Sequence, residues 1–397
     1  MGISLDVKRK VGVLDLLFGL LITFSVMLDC VPIFGHVQGL YRVLIVFAMI
    51  GLFVLPRKKV QAPPAVITLL FAYAFAVSLI ASFHWGLNKL FFNYGFCYVV
   101  LTIFVSLGSE YTEDRWMQIL QKIWILLVLC TVVNDIVQWQ RIEEYFAFSL
   151  KHPIIQTLVG GGVNLEATWI AVFVLSFFKS KWRVAPLLIS IGYSLLYASR
   201  AGLIADFVIA GIFAYDYFVQ GKGFSLKKNQ MLILASVFVC AMAAVVYLTV
   251  KGSYIFQVIE RFGNLFSDPG SRGRLAMWKY APATIVKYPF GVGLGNVMPA
   301  LETISPLKYT ENNLHNIYMQ MFIELGIFGG VFHLLVVLYW LRANLKRFFT
   351  SPIVAMLYIY FLLALLQFRG GDTLLFCLLG IYLTTHCSAK HSAPKEI

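Results

Sequence analysis

About twelve apolar runs of bilayer-crossing length constrain this chain more than anything else in it. A helix that crosses the roughly 30 Å hydrocarbon core needs about 20 mostly apolar residues, and only helices and closed barrels satisfy their own backbone there. Such runs lie near 11–30, 38–55, 64–83, 89–107, 117–139, 164–179, 184–198, 201–219, 229–250, 314–341, 352–368 and 371–387. The two short ones, 164–179 and 184–198, are expected to tilt, break or re-enter. Charged residues make up only 13% of the chain, where a soluble domain carries about 25%. The expected fold is an all-α integral membrane protein.

Basic residues set its orientation. Arg57-Lys58-Lys59, Lys179/Lys181/Arg183, Lys222/Lys227/Lys228 and Arg342/Lys346/Arg347 fall on alternate connections and join the basic N-terminus, Lys8-Arg9-Lys10. Lys and Arg mark cytoplasmic loops, so both termini are expected in the cytoplasm. The connection GSEYTEDRW at 108–116 breaks the pattern, but acidic residues count for little in this rule. No small-residue cleavage site follows the first run, which reads as a retained helix rather than a removed signal. The net charge of +13 is scattered over short loops, unlike the basic face of a nucleic-acid-binding protein. All six cysteines lie in or beside apolar runs without a pairing motif, and read as small core residues.

The chain then divides into helices 1–9 over 1–250, one large outer loop over 251–313 between helices 9 and 10, and helices 10–12 with a short tail over 314–397. The loop lies on the periplasmic side and carries Lys251, Arg261, Arg272, Arg274, Lys279, Lys287 and Lys308 against four acids. It suits an anionic ligand at the membrane surface, or merely anionic headgroups. Leu275, Trp278, Ile285 and Val286 are expected to line one side of an interfacial helix kinked at Pro282. The Gly291-x-Gly293-x-Gly295 turn lacks the βαβ setting of a dinucleotide site; its glycines let the backbone pass close to a substrate or a neighbouring helix.

Three polar features fall at outer helix ends. Arg200, after Ser199, places a guanidinium whose planar fork suits phosphate oxygens. Arg274, with Arg272 assisting, stands just before Trp278 and can clamp a pyrophosphate. His315-Asn316 opens the run 314–341, where a neutral histidine can accept a proton or orient a hydroxyl; Tyr318 follows on its face. Glu324, deeper in that run, reads chiefly as a structural hydrogen-bond partner. Arg369 and Asp372, in the turn RGGD, form a surface pair or line the same cavity. Weaker polar spots are His84, Asn88, Asn93, His152, Asn164 and Glu166. The outer segments show no HExxH, carboxylate cluster or acidic ligand pair, so the sequence supports neither a metal site nor a cofactor site.

Arg274, Trp278, Pro289, the three glycines to Gly295, His315-Asn316, Tyr318, Glu324, Gly326 and Gly329 together resemble the O-antigen ligase and O-antigen polymerase superfamily. His315-Asn316, nine residues, then Gly326-x-x-Gly329 is similar to the ligases' histidine motif. Ser199-Arg200-Ala-Gly-Leu203 is similar to the arginine motif, with the leucine one place closer than usual. The resemblance implies a multi-spanning, lipid-dependent glycosyltransferase of the cytoplasmic (inner) membrane, its site facing the periplasm. It would invert the anomeric centre without metal or cofactor. The donor would be an undecaprenyl-pyrophosphate-linked glycan, and the acceptor either lipid A-core for a ligase or a lipid-linked repeat for a polymerase. Arg200 and Arg274 would meet the pyrophosphate and His315 the acceptor, with Arg272, Asn316, Tyr318, Trp278 and Arg369 binding substrate. A transporter of lipid-linked sugars would instead need an internal repeat and polar residues at mid-membrane; no clear repeat is present. A structural membrane partner would not need this grouping of arginines and histidine.

Overall fold

A computed structural model describes residues 2–27, 45, 63–146, 155–159, 162–197, 199–219, 269–309, 311, 313–367 and 370–386. Among these residues the secondary structure is helical, without strands. The helices are α1 (Gly2–Val26), α2 (Ala65–Trp85), α3 (Lys89–Leu107), α4 (Glu113–Val137), α5 (Trp139–Phe146), α6 (Val163–Val174), α7 (Val184–Leu196) and α8 (Arg200–Phe218). They continue as α9 (Pro269–Lys287), α10 (Val297–Glu302), α11 (Ile317–Glu324), α12 (Gly326–Asn344), α13 (Pro352–Leu363) and α14 (Thr373–His386). Five described helices are long and apolar enough to cross a membrane: α2, α3, α4, α8, and α12 extended to Arg347. Shorter apolar helices cover 12–26, 163–177, 184–196, 352–363 and 373–386. The expected runs at 38–55 and 229–250 lie outside the described residues, apart from Ile45.

The run 314–341 is not one helix. It breaks at Leu325 into α11 and α12, because Gly326 adopts φ +72° and ends the α-helical backbone. The run 164–179 is a short helix closed by a single 3-10 turn over Leu175–Phe177.

The described residues group into two compact units. One is drawn from Met1–Ser25, Gln38–Ile119 and Arg272–Ile397; the other from Val26–Val37 and Leu120–Ser271. In the first, α14 packs along α3, where Gly380 lets the Phe104 ring lie against bare backbone. Phe18 of α1 meets the rings of Phe104 at 4.9 Å and Trp116 at 4.7 Å. The acidic connection 108–116 is an anchor for α1. Arg115 grips the Asp15 carboxylate with Nε at 2.9 Å and Nη2 at 2.8 Å, and Tyr111 donates to it at 2.8 Å. Burial, then the bond to Asp15, pushes the Tyr111 phenol up from its ordinary value.

At the start of α13, Ser351 accepts from the Val354 N–H at 3.4 Å and donates to Glu113 Oε1 at 2.6 Å. Ser351→Ala removes a helix cap and leaves Glu113 short of a partner. A loss of about 1–2 kcal/mol is expected, read as a lower thermal midpoint in detergent.

In the second unit α6, α7 and α8 pack on one another. Arg183 closes an ion pair with Asp216 at 2.5 Å, both side chains nearly inaccessible, so this basic residue of the connection before α7 is also a structural one.

Candidate functional site

The described part of the stretch expected as an outer loop, from Pro269 onward, contains two helices, α9 and α10. α9 runs through Pro282 without ending and buries Met277, Ala281 and Thr284, one helical face. Met277 and Ala281 meet Val292, Val297, Leu301, Leu314 and Ile323 in a small apolar core. Of the expected face, Trp278 and Ile285 are partly buried against this core, while Leu275 and Val286 are exposed. The chain that follows α9 folds back over the Met277 side, and that choice of partner is not written in the helix itself.

Two hydrogen bonds tie separate pieces of the first unit to the histidine turn, and a third ties Arg274 to the neighbouring 364–366 turn. The Trp278 indole donates to the Leu314 carbonyl at 2.8 Å, Ile317 N–H donates to Ala364 O at 3.0 Å, and Arg274 Nη1 donates to Leu366 O at 3.0 Å. Arg274 and Trp278, four residues apart, share a face of α9. The arginine, the histidine turn and the 364–366 turn are thus tied together. His315 has φ +52°, the only non-glycine residue with positive φ among the described residues. Its N–H is held by Asn313 Oδ1 at 2.8 Å, and Nε2 lies 3.2 Å from Glu311 Oε2. A left-handed histidine is held by its surroundings at an energetic cost, as often found at functional positions.

Several residues expected to bind substrate also make contacts within the protein. The Trp278 N–H is engaged by Leu314 O. Asn316 caps α11, accepting from Met319 N–H at 3.0 Å, and the Tyr318 hydroxyl donates to Phe361 O at 2.9 Å. Each thus ties a polar group to the backbone near His315. Arg272 is exposed and, two residues from Arg274, falls on a different face of α9, so the helix does not pair the two arginines. Arg369 lies outside the described residues. Trp278→Phe keeps the ring and loses the bond. A stability loss of about 1 kcal/mol is expected by thermal unfolding.

The glycine turn approaches a neighbouring helix. Val292 N–H donates to Ile323 O at 3.1 Å, Gly293 N–H to Glu324 O at 2.9 Å, and Ile327 N–H to Pro289 O at 2.9 Å. The backbone groups freed by the break between α11 and α12 are therefore paired by the loop. Glu324 is fully buried and accepts from Gly295 N–H at 3.0 Å and Gln320 Nε2 at 2.8 Å, the structural role expected of it. Asn88 caps α3 and reaches Gly295 O at 2.9 Å. Asp372 lines an apolar cavity of ≈ 140 Å³ together with Tyr94, His333 and Tyr360.

Arg200 belongs to the second unit, at the first position of α8, half-buried. Ser199 caps that helix, accepting from Gly202 N–H at 3.1 Å. A cation at a helix N-terminus opposes the macrodipole, but a guanidinium and the positive end of a helix both favour an anion. The same unit contains a carboxylate pair that the sequence did not show. The Tyr197 hydroxyl lies 2.7 Å and 2.8 Å from the Asp135 oxygens and 3.3 Å from Glu166 Oε1, all three residues buried. Asp135, Glu166 and Tyr197 come from three different helical stretches, so no spacing rule brings them together. Among the described residues no group of three or more His, Cys, Asp and Glu is placed to hold a metal ion.

Compared with known families, residues 185–334 match the model described as O-antigen ligase. The match spans Arg200, Arg272, Arg274, Trp278, His315, Asn316 and Tyr318, and stops short of Arg369. No curated protein matches the chain.

Proposed function

Residues 185–334 carry an O-antigen ligase-type domain in a chain rich in apolar helices, and from that premise we propose a glycosyltransferase acting on lipid-linked glycans at the membrane surface. It moves an undecaprenyl-pyrophosphate-linked glycan onto a lipid A-core saccharide, with inversion at the sugar carbon, in the bacterial cytoplasmic membrane. Its termini are cytoplasmic and its site faces the periplasm.

The observation that carries this reading is the gathering of Arg274 and the strained His315 by the three bonds to Leu314, Ala364 and Leu366. Cleaving a sugar–pyrophosphate bond builds positive charge on the sugar and negative charge on the leaving oxygens. Arg274 meets the leaving group, in the role that a divalent ion takes in other transferases. The His315 turn meets the acceptor hydroxyl. Arg200 is assigned an anion-binding role on its own unit, with Arg200→Ala as its separate test.

The test is reconstitution of the full chain in liposomes with an undecaprenyl-pyrophosphate glycan. One arm receives lipid A-core, another only the lipid-linked repeat. A new glycosidic bond to lipid A-core is the expected result. Lengthening of the repeat would make the protein a polymerase of the same kind. Movement of lipid without a new glycosidic bond would overturn the transferase reading.

A further inference from the structure

The two members of the His315–Glu311 pair differ in what they leave open to solvent. The Glu311 side chain is 54% exposed and that of His315 19% exposed. His315 Nδ1 is buried and has no hydrogen-bond partner, while Nε2 faces Glu311 Oε2 at 3.2 Å. A carboxylate has no proton to give, so the imidazole, neutral or charged, must carry hydrogen on Nε2 in this contact. In the neutral ring the remaining lone pair is on Nδ1, which is shut away. The turn that carries the ring is fixed: φ is +52°, and Asn313 Oδ1, the Trp278–Leu314 bond and the Asn316 cap hold it on both sides. The exposed basic atoms of the pair are therefore the carboxylate oxygens.

Building on the transferase reading above, we propose that Glu311 is the catalytic base that takes the proton from the acceptor hydroxyl. His315 is the positioning residue, holding the carboxylate through Nε2–H. In the step, the acceptor oxygen forms a bond to the anomeric carbon as the bond from that carbon to the pyrophosphate oxygen breaks. The hydroxyl proton goes to Glu311, and the electron pair leaves with the lipid pyrophosphate, whose charge Arg274 meets. Inverting transfer needs a general base at the acceptor hydroxyl, on the side of the sugar away from the leaving group.

Azide separates the two assignments, because it is an anionic nucleophile with no proton to lose. Full-length wild type, Glu311→Ala, Glu311→Gln, Glu311→Asp and His315→Ala are reconstituted with the lipid-linked glycan, with and without sodium azide. Glu311→Ala and Glu311→Gln are expected to lose transfer by about 10²–10⁴-fold, and Glu311→Asp to retain part of it. Azide is expected to restore donor consumption in Glu311→Ala, giving the inverted glycosyl azide, and not in His315→Ala, where the carboxylate still repels the anion. Rescue of His315→Ala alone, absence of rescue in Glu311→Ala, or near-normal transfer by Glu311→Gln would overturn the proposal. The ¹⁵N spectrum of the His315 ring supplies a readout that does not depend on turnover. Hydrogen on Nε2 supports the dyad, and a neutral ring with hydrogen on Nδ1 overturns it even in active protein. A wild type that makes no glycosidic bond to any acceptor would instead defeat the transferase reading, and the ring spectrum would still report on the pair.

Discussion

Gly326→Ala is expected to destabilise the protein by on the order of 4 kcal/mol or more, because it meets both backbone strain and steric overlap. At φ +72° an alanine is strained before any neighbour is considered. Its Cβ would then stand 2.5 Å from both Pro289 O and Phe290 C, and 2.7 Å from Gly291 N. These are backbone atoms of a loop that is itself hydrogen-bonded to α11 and α12, so neither side can withdraw cheaply. The reciprocal change, Gly291→Ala, drives a methyl group to 2.5 Å from Glu324 O. Loss of folded, monodisperse protein in detergent, or a thermal midpoint lowered by many degrees, is the expected readout. Gly95→Ala is the control, since its Cβ meets nothing within 4 Å in the middle of α3. It should be neutral or stabilising by up to about 1 kcal/mol. Equal behaviour of the two variants would show that the crossing of loop and helix break is not tight.

Arg274→Ala is expected to lower kcat/KM for glycan transfer by about 10²–10³-fold, the range found when one group that stabilises developing negative charge is removed. Arg274→Lys should recover little of it. A lysine keeps the charge but has no planar fork able to hold Leu366 O with one nitrogen and a phosphate oxygen with another. The fold should survive, because α9 is held by its Met277–Ala281–Thr284 face and by Trp278. Unchanged thermal stability with lost transfer places Arg274 in the reaction. Unchanged transfer would remove it from the site, and with it the observation on which the proposed function rests.

Much of this was legible in the chain because the bilayer is a demanding solvent. Runs 89–107 and 201–219 could be assigned closely, since each is a single apolar stretch closed by a capping residue or a turn. His315, Arg274 and Arg200 stood out because polar groups at the ends of such stretches have few bland explanations. The backbone contacts of Trp278, Asn316 and Tyr318 were not legible: a polar side chain beside an apolar run reads the same whether or not it meets a carbonyl. The break at Gly326 was invisible in hydropathy, which is high on both sides of it.

The sequence by itself determined the helical class, the places where polar chemistry interrupts apolar runs, and the resemblance in which Arg200, Arg274 and His315 sit. Those follow from one-dimensional constraints, since a run's length and polarity are properties of neighbours along the chain. The tertiary structure alone decided that the glycine loop fills the gap between α11 and α12, and that Trp278 pins the turn before His315. It alone set Asp135 beside Glu166 and put Glu311, rather than the histidine's own second nitrogen, in the open. Each depends on which distant carbonyl or carboxylate a donor meets. That pairing is settled by close packing and by the need to satisfy every buried polar group, neither of which acts through spacing along the chain.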